Sequence, residues 1–451
     1  MSRTPAFFCS YLSRWILSKR NEKLSHADAV SYSLMAGFGE TYFAAFALAA
    51  GLSQVFAGLI TSIPLLLAGL LQLITPRALH RIRSYRTWVV CCAGLQAATH
   101  LWFVYAAIKG YITETSFFLV CVLYWFASMS AGPVWNSWIE SITDKNSFKS
   151  FIAIRSRLAQ SAAFIAFGAA GMLLHLFKIY EHVLWGFALL FSLAALFRFV
   201  STAFLSMQDD YFPESQQQPK APWRDLLHVL KDRNSGRFLF FLLVSQVSVH
   251  IAAPYFSPYM LAHIKFSYAE YVLLVAASYI AKIIAYPVIA RLIERFSAIR
   301  CLIISGLFVS PLPLFWFWTP QLPTLIVAQV VAGFAWGTFE LSSTMLVFSN
   351  IGNQERIRIL TGYNLFNAIC MVSGSVVGAY MLTSEPSYST YRLVFTISAL
   401  CRLLSLLALI GIKDIKAKVR ILAFRTLGLR PSQGSFSAPV IDSRDQSKRM
   451  D

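Results

Sequence analysis

Charge is scarce in this sequence. Asp, Glu, Lys and Arg make up 13% of its 451 residues, about half the roughly 25% usual in soluble domains. Hydrophobic residues reach 57% and aromatic residues 15%, more apolar surface than a water-soluble chain of this length can hide. Acidic residues are the scarcer sign, 21 against 39 basic, for a net charge of +18. Such basic excess can mark nucleic-acid binding. Here the cations cluster between long uncharged runs, which marks a membrane surface instead, and no nucleic-acid partner is expected. The seven cysteines show no CxxC spacing, so no thiol metal site or redox pair is offered. Six of them, Cys91, Cys92, Cys121, Cys301, Cys370 and Cys401, lie in apolar runs as small fillers. There is no GxxxxGK(S/T) phosphate loop, no HExxH and no GxSxG, which argues against an ATP-driven pump and an embedded hydrolase. The sequence calls for no metal, no cofactor and no catalytic residue.

What the chain does have is long apolar runs. A bilayer core about 30 Å thick needs about 20 apolar residues per spanning helix. Twelve runs qualify, near 27–49, 53–75, 87–108, 115–138, 151–177, 183–205, 238–262, 268–290, 300–319, 322–348, 358–383 and 391–412. They lack period-2 alternation, and lipid cannot satisfy free backbone groups, so they read as helices.

Between the runs, Lys and Arg alternate from side to side. One side collects 32, the other only Lys109, Lys178, Lys265 and Arg392, while Arg198, Lys282 and Arg402 fall inside spans. By the positive-inside rule the rich side is cytoplasmic and so are both termini; a bacterial inner membrane is the expected location. There is no apolar leader followed by a small-residue cleavage site. Instead Phe8, Leu12, Trp15 and Ile16 share one face of a short interfacial helix. The organisation read from this pattern is a cytoplasmic segment over 1–26, a six-helix bundle over 27–205, a central cytoplasmic loop over 206–237, a second six-helix bundle over 238–412, and a basic cytoplasmic tail over 413–451. Within the central loop, Trp223, Leu226, Leu227 and Leu230 recur at helical spacing.

The two halves repeat. PRALHRIRSYR at 76–86 aligns with ARLIERFSAIR at 290–300, placing Arg77, Arg81 and Arg86 on Arg291, Arg295 and Arg300. SLAALFRF at 192–199 aligns with TISALCRL at 396–403, placing Arg198 on Arg402. Two matches at the same place in each half support a duplicated six-helix unit. At this point the chain resembles the major facilitator superfamily of secondary transporters. That family carries G-x-L-x-D-R-x-G-R-R between its second and third helices, echoed between the eighth and ninth. ARLIERFSAIR matches at Leu292, Glu294, Arg295 and Arg300, with Ala290 and Ser297 in place of the glycines. RALHRIRSYR keeps Arg81 but has His80 where the acid belongs. The resemblance implies twelve transmembrane helices in two pseudo-symmetric six-helix bundles, all-α. It also implies a conformational latch at these loops, with Arg81 pairing Glu140 in the first half and Glu294, Arg295 and Arg300 forming its echo. Plain topogenic charge is the other reading of the same arginines.

Charged groups within spans are costly, at about 2.5–3.5 kcal/mol each on insertion scales, and are the default functional candidates. Glu40 lies in the middle of the first run, in GFGETYFAAF, flanked by Gly37 and Gly39. A poorly solvated carboxylate there can bind and release a proton near neutral pH; a structural hydrogen bond to a neighbouring helix is the alternative. Lys282 in the eighth run and Glu340 in the tenth are candidates to face a cavity or to pair, and Lys282 could instead snorkel. Glu340 follows a Gly333–Gly337 pair at GxxxG spacing. Pro254 and Pro258 break the seventh run and expose carbonyls, a backbone pointer to a binding site. Gln246, His250, Tyr255 and Tyr259 surround that break. In the family the first, fourth, seventh and tenth helices line the path, which adds Tyr42, Trp135, Asn136 and Trp336. Simple packing is the competing account of each ring. Arg198 and Arg402 read as shared structural residues of helices that support each bundle.

The expectation is therefore a monomeric secondary transporter that moves a small-molecule substrate across the bilayer by alternating access, coupled to protons through Glu40. A passive facilitator or exchanger, and a receptor or scaffold on the same fold, are the alternatives.

Overall fold

The computed structural model describes residues 4–143, 148–210, 212, 235–318, 321–350, 353–382 and 386–410. Among these residues every regular element is helical. The helical spacing expected at 223–230 in the central loop and the basic tail lie outside the described residues.

In chain order the main helices are α1 (Thr4–Phe38), α2 (Phe43–Ala49), α3 (Gln54–Leu59), α4 (Ile63–Leu71), α5 (Thr75–Ile82), α6 (Tyr85–Lys109), α7 (Glu114–Ile142), α8 (Phe148–Ile179), α9 (Val183–Ser206), α10 (Ser235–His250), α11 (Tyr268–Phe296), α12 (Ala298–Val309), α13 (Leu322–Asn350), α14 (Asn353–Leu382) and α15 (Tyr388–Ser405). Eleven helical segments among the described residues are long and apolar enough to cross a membrane. The first of the twelve predicted spans is not among them. Its 27–49 run is divided between the end of α1, a 3-10 turn at Glu40–Tyr42 and the short α2. α1 itself runs unbroken from Thr4, through the segment read as an interfacial helix.

Helix ends follow local chemistry. Ser84 caps α6, accepting from Thr87 N at 2.9 Å, and Thr113 caps α7. Ser267 and Glu270 close a reciprocal capping box on α11. Gly110 ends α6 with φ 68, a left-handed conformation open to glycine. Outward faces are greasy: on α8 Ile154, Leu158, Ile165, Met172 and Leu176 are all exposed, one stripe at helical spacing that suits lipid.

The described residues form two compact units, one holding 4–42 and 67–212, the other 43–66 and 235–410. In the first, α1 packs on α8 and α9, and α6 packs on α7 and α9. In the second, α10 packs on α14 and α15, α11 on α13, and α12 on α13.

The predicted loop at 76–86 is mostly helix. Pro76 suits the first turn of α5, which continues to Ile82, so only Arg83 and Ser84 connect it to α6. Its echo is shorter still, with Ser297 alone between α11 and α12. Arg81, Glu294, Arg295 and Arg300 are all exposed, and the side chain of Glu140 lies outside the described residues. What the first connection does hold is Asp210. Ser84 Oγ donates to its carboxylate at 2.5 Å and Arg86 N at 3.1 Å, so an acid sits on the positive end of α6.

Candidate functional site

The backbone breaks where the sequence places its candidates. α10 stops at His250 and is followed by a 3-10 turn at Ala253–Tyr255, one α turn at Phe256–Pro258 and a π turn at Tyr259–His263. Pro254 and Pro258 account for it, each removing an N–H from the ladder. The first span breaks in the same manner at Glu40–Tyr42 without a proline. There Gly39 lies against His100, where a Cβ would collide with the imidazole ring.

Around this first break the tyrosines are anchors. Tyr42 is fully buried and donates to Phe167 O on α8 at 2.8 Å. In the second unit Tyr255, also fully buried, donates to Ser375 O on α14 at 2.5 Å. Tyr259 donates to Trp316 O at 3.0 Å and packs on Tyr391 and Phe395. Glu40 is half-buried, and Tyr124 on α7 donates to its Oε2 at 2.8 Å.

In the second unit Lys282 on α11 and Glu340 on α13 form an ion pair at 2.7 Å, both buried. The glycines explain how they meet. A Cβ on Gly333 would strike Ser278 O, and one on Gly337 would press on Lys282 Cγ at 3.2 Å. The GxxxG face therefore closes α13 onto α11, and Glu340, about one turn on, reaches Lys282. Tyr279 and Tyr286 lie within electrostatic range of the carboxylate. Gln246 and His250 are buried on α10, where His250 Nδ1 bonds to Gln246 O at 2.9 Å. Trp336 is buried with the Arg402 guanidinium 5.9 Å from its ring centroid. Trp135 and Asn136 on α7 are half-buried.

Two residues of this polar interior were missed. Asp28 lies at the start of the first predicted span and Arg155 is one of the 32 cytoplasmic-side cations, and the sequence offers neither as a site candidate. They form an ion pair at 2.9 Å between α1 and α8. Ser201 donates to the other Asp28 oxygen at 2.7 Å, and Arg198 donates to Ser201 at 2.7 Å and to Gln96 Oε1 at 2.5 Å. The available signal was spacing: Asp28 and Tyr32, four residues apart, share one face of the first helix.

A Major Facilitator Superfamily model matches residues 238–433. No curated protein sequence matches. Among solved structures, the nucleoside transporter NupG superposes with a TM-score of 0.64 at 16% identity, covering 88% of this chain and 98% of its own. An auto-inhibited POT family peptide transporter gives 0.67 at 11%, covering 86% and 96%. A bacterial homolog of the human lysosomal transporter Spinster gives 0.59 at 15%, covering 88% and 95%.

Residues 238–433 match the superfamily's model, and the chain takes the fold of these solved transporters. The matched model and the transporter fold point to a multi-pass membrane transporter whose partners are a small solute and lipid. Superfamily and fold point to transporters rather than enzymes.

Proposed function

We propose that the protein is a secondary active transporter that works as a monomer by alternating access, with both termini in the cytoplasm and Glu40 carrying the coupling proton. One observation carries the coupling: a half-buried carboxylate sits in the only non-α stretch of the first span, held by Tyr124 Oη at 2.8 Å. A neutral Tyr–carboxylate hydrogen bond tolerates either protonation state, because a protonated Glu40 donates where an ionised one accepts. Lys282 and Glu340 supply a second buried charge pair in the other unit, available to a charged solute.

In sealed proteoliposomes, Glu40→Gln should exchange substrate down its gradient and lose accumulation against it. Full proton-driven accumulation by that variant sinks the coupling role. The passive facilitator treats the Tyr124–Glu40 bond as a structural tie, and it predicts transport indifferent to a pH gradient in the wild type.

A further inference from the structure

We infer that Arg155 and Trp135 form a subsite for the oxyanion of a carboxylate- or phosphate-bearing solute. The Arg155 guanidinium lies over the Trp135 ring, 4.1 Å from its centroid. It is held from the opposite helix by Asp28 at 2.9 Å and by Ser25 Oγ at 3.2 Å. A planar fork fixed on an aromatic face and tied by a carboxylate is the geometry that recognises carboxylate and phosphate groups in two-point fashion.

Three observations favour an anion over a cation. Asp28 is the sealed partner, its side chain 4% exposed, while that of Arg155 is 17% exposed, so an incoming group meets the cation first. The Arg198 guanidinium reaches the same Asp28 through Ser201, so two guanidiniums converge on one carboxylate. Trp135 Nε1 is shielded from solvent and has no hydrogen-bond partner among the described residues. A shielded N–H without an acceptor is unfavourable, and an oxyanion beside the guanidinium supplies that acceptor, which an ammonium cannot. Arg155 comes from α8 but delivers its charge between α1 and α7, which by the superfamily resemblance are path-lining helices. The inference relies on the transporter reading only for this solute being cargo.

The test is binding to purified full-length protein, by calorimetry and thermal shift, with probes that share one skeleton: benzoate against benzamide, phenyl phosphate against phenol, and benzylamine. The expected result is that benzoate or phenyl phosphate binds at least about tenfold tighter than its neutral partner, and which of the two does so separates carboxylate from phosphate cargo. Trp135→Phe keeps the ring beneath the guanidinium and removes the N–H. It should weaken the anion about tenfold or more and leave benzamide and phenol unchanged. Arg155→Lys keeps the charge and loses the fork, with a similar loss; Arg155→Gln should abolish the anion preference, and if it does not fold, the other two variants decide. No anion preference, tighter binding of benzylamine, or full anion affinity in both Trp135→Phe and Arg155→Lys overturns the subsite. The transporter reading fails separately, if wild-type vesicles move none of a broad solute panel.

Discussion

The two units solve the same problem with different chemistry. Each buries an arginine at the repeated position, Arg198 in α9 and Arg402 in α15. Arg402 donates to Val309 O at 3.3 Å and to Val249 O at 3.5 Å. Both carbonyls belong to interrupted helices: α12 ends at Val309, and α10 ends one residue after Val249. Pro313 stands where the N–H for Val309 O would come from, so that carbonyl is left for the guanidinium. α6, the counterpart of α12, is unbroken to Lys109. Its backbone carbonyls are taken, and Arg198 bonds instead to the side chains of Gln96 and Ser201. Tyr42 and Tyr255 tell the complementary story, each ending a 3-10 turn and tying it to a backbone carbonyl of a partner helix. Breaks and anchors are shared. The ion pairs are not, with Asp28–Arg155 between α1 and α8 in one unit and Lys282–Glu340 between α11 and α13 in the other. The duplicated features hold the bundles, which leaves the unshared charges as the place to look for function.

The largest expected effect comes from breaking the unshared pair of the second unit. Lys282→Met or Glu340→Gln leaves one partner buried without its counter-charge, which typically costs about 3–5 kcal/mol. The double variant Lys282→Met/Glu340→Met removes both charges and should recover most of that loss in thermal unfolding, while charged-solute transport stays lost. Equal destabilisation by the single and double variants would show that the pair is not what holds α13 on α11.

Much of the architecture was legible because lipid acts on composition: long apolar runs and the one-sided distribution of 32 cations need no tertiary information. The GxxxG before Glu340 was legible too, since small residues at that spacing permit close helix approach whatever the partner. Pairing was not. Asp28 sits at the edge of its run, and only the packing of α1 on α8 reveals Arg155 as its partner. The break at Glu40 was hidden because Gly39 gives no signal as strong as Pro254. Tyr42 and Tyr255 invited a cavity reading; their hydroxyls in fact bond to carbonyls of packed helices.

The arginines give the next effect. Arg402→Gln strips Val309 O of a charged donor, and that carbonyl cannot turn to find another, whereas Val249 O keeps Ala252 N at 3.3 Å. A loss of about 1–3 kcal/mol is expected. Arg198→Gln leaves Gln96 and Ser201, flexible side chains that can turn to each other, and should cost about 0.5–1.5 kcal/mol. Thermal unfolding of the two variants side by side measures the difference. A larger loss for Arg198→Gln would reverse the account of why the two sites differ.

The smallest effect separates the two short connections. Arg83 has φ 52 and ψ 34, a left-handed conformation that costs an L-residue about 1–2 kcal/mol. Ser297 has φ 86 and ψ 153, a region populated almost wholly by glycine, at about 1–3 kcal/mol. It stands where the family signature has glycine. Its Oγ is buried with no partner among the described residues, so removing the side chain forfeits no hydrogen bond there. Glycine also costs roughly 0.5–1 kcal/mol of unfolded-chain entropy, which leaves a net gain of about 0.5–1 kcal/mol at Arg83 and about 0.5–2 kcal/mol at Ser297. Ser297→Gly should therefore raise the unfolding temperature more than Arg83→Gly does. The opposite ranking would mean that the strain at Ser297 is relieved by its neighbours, and that this residue is a tolerated substitution rather than a strained one.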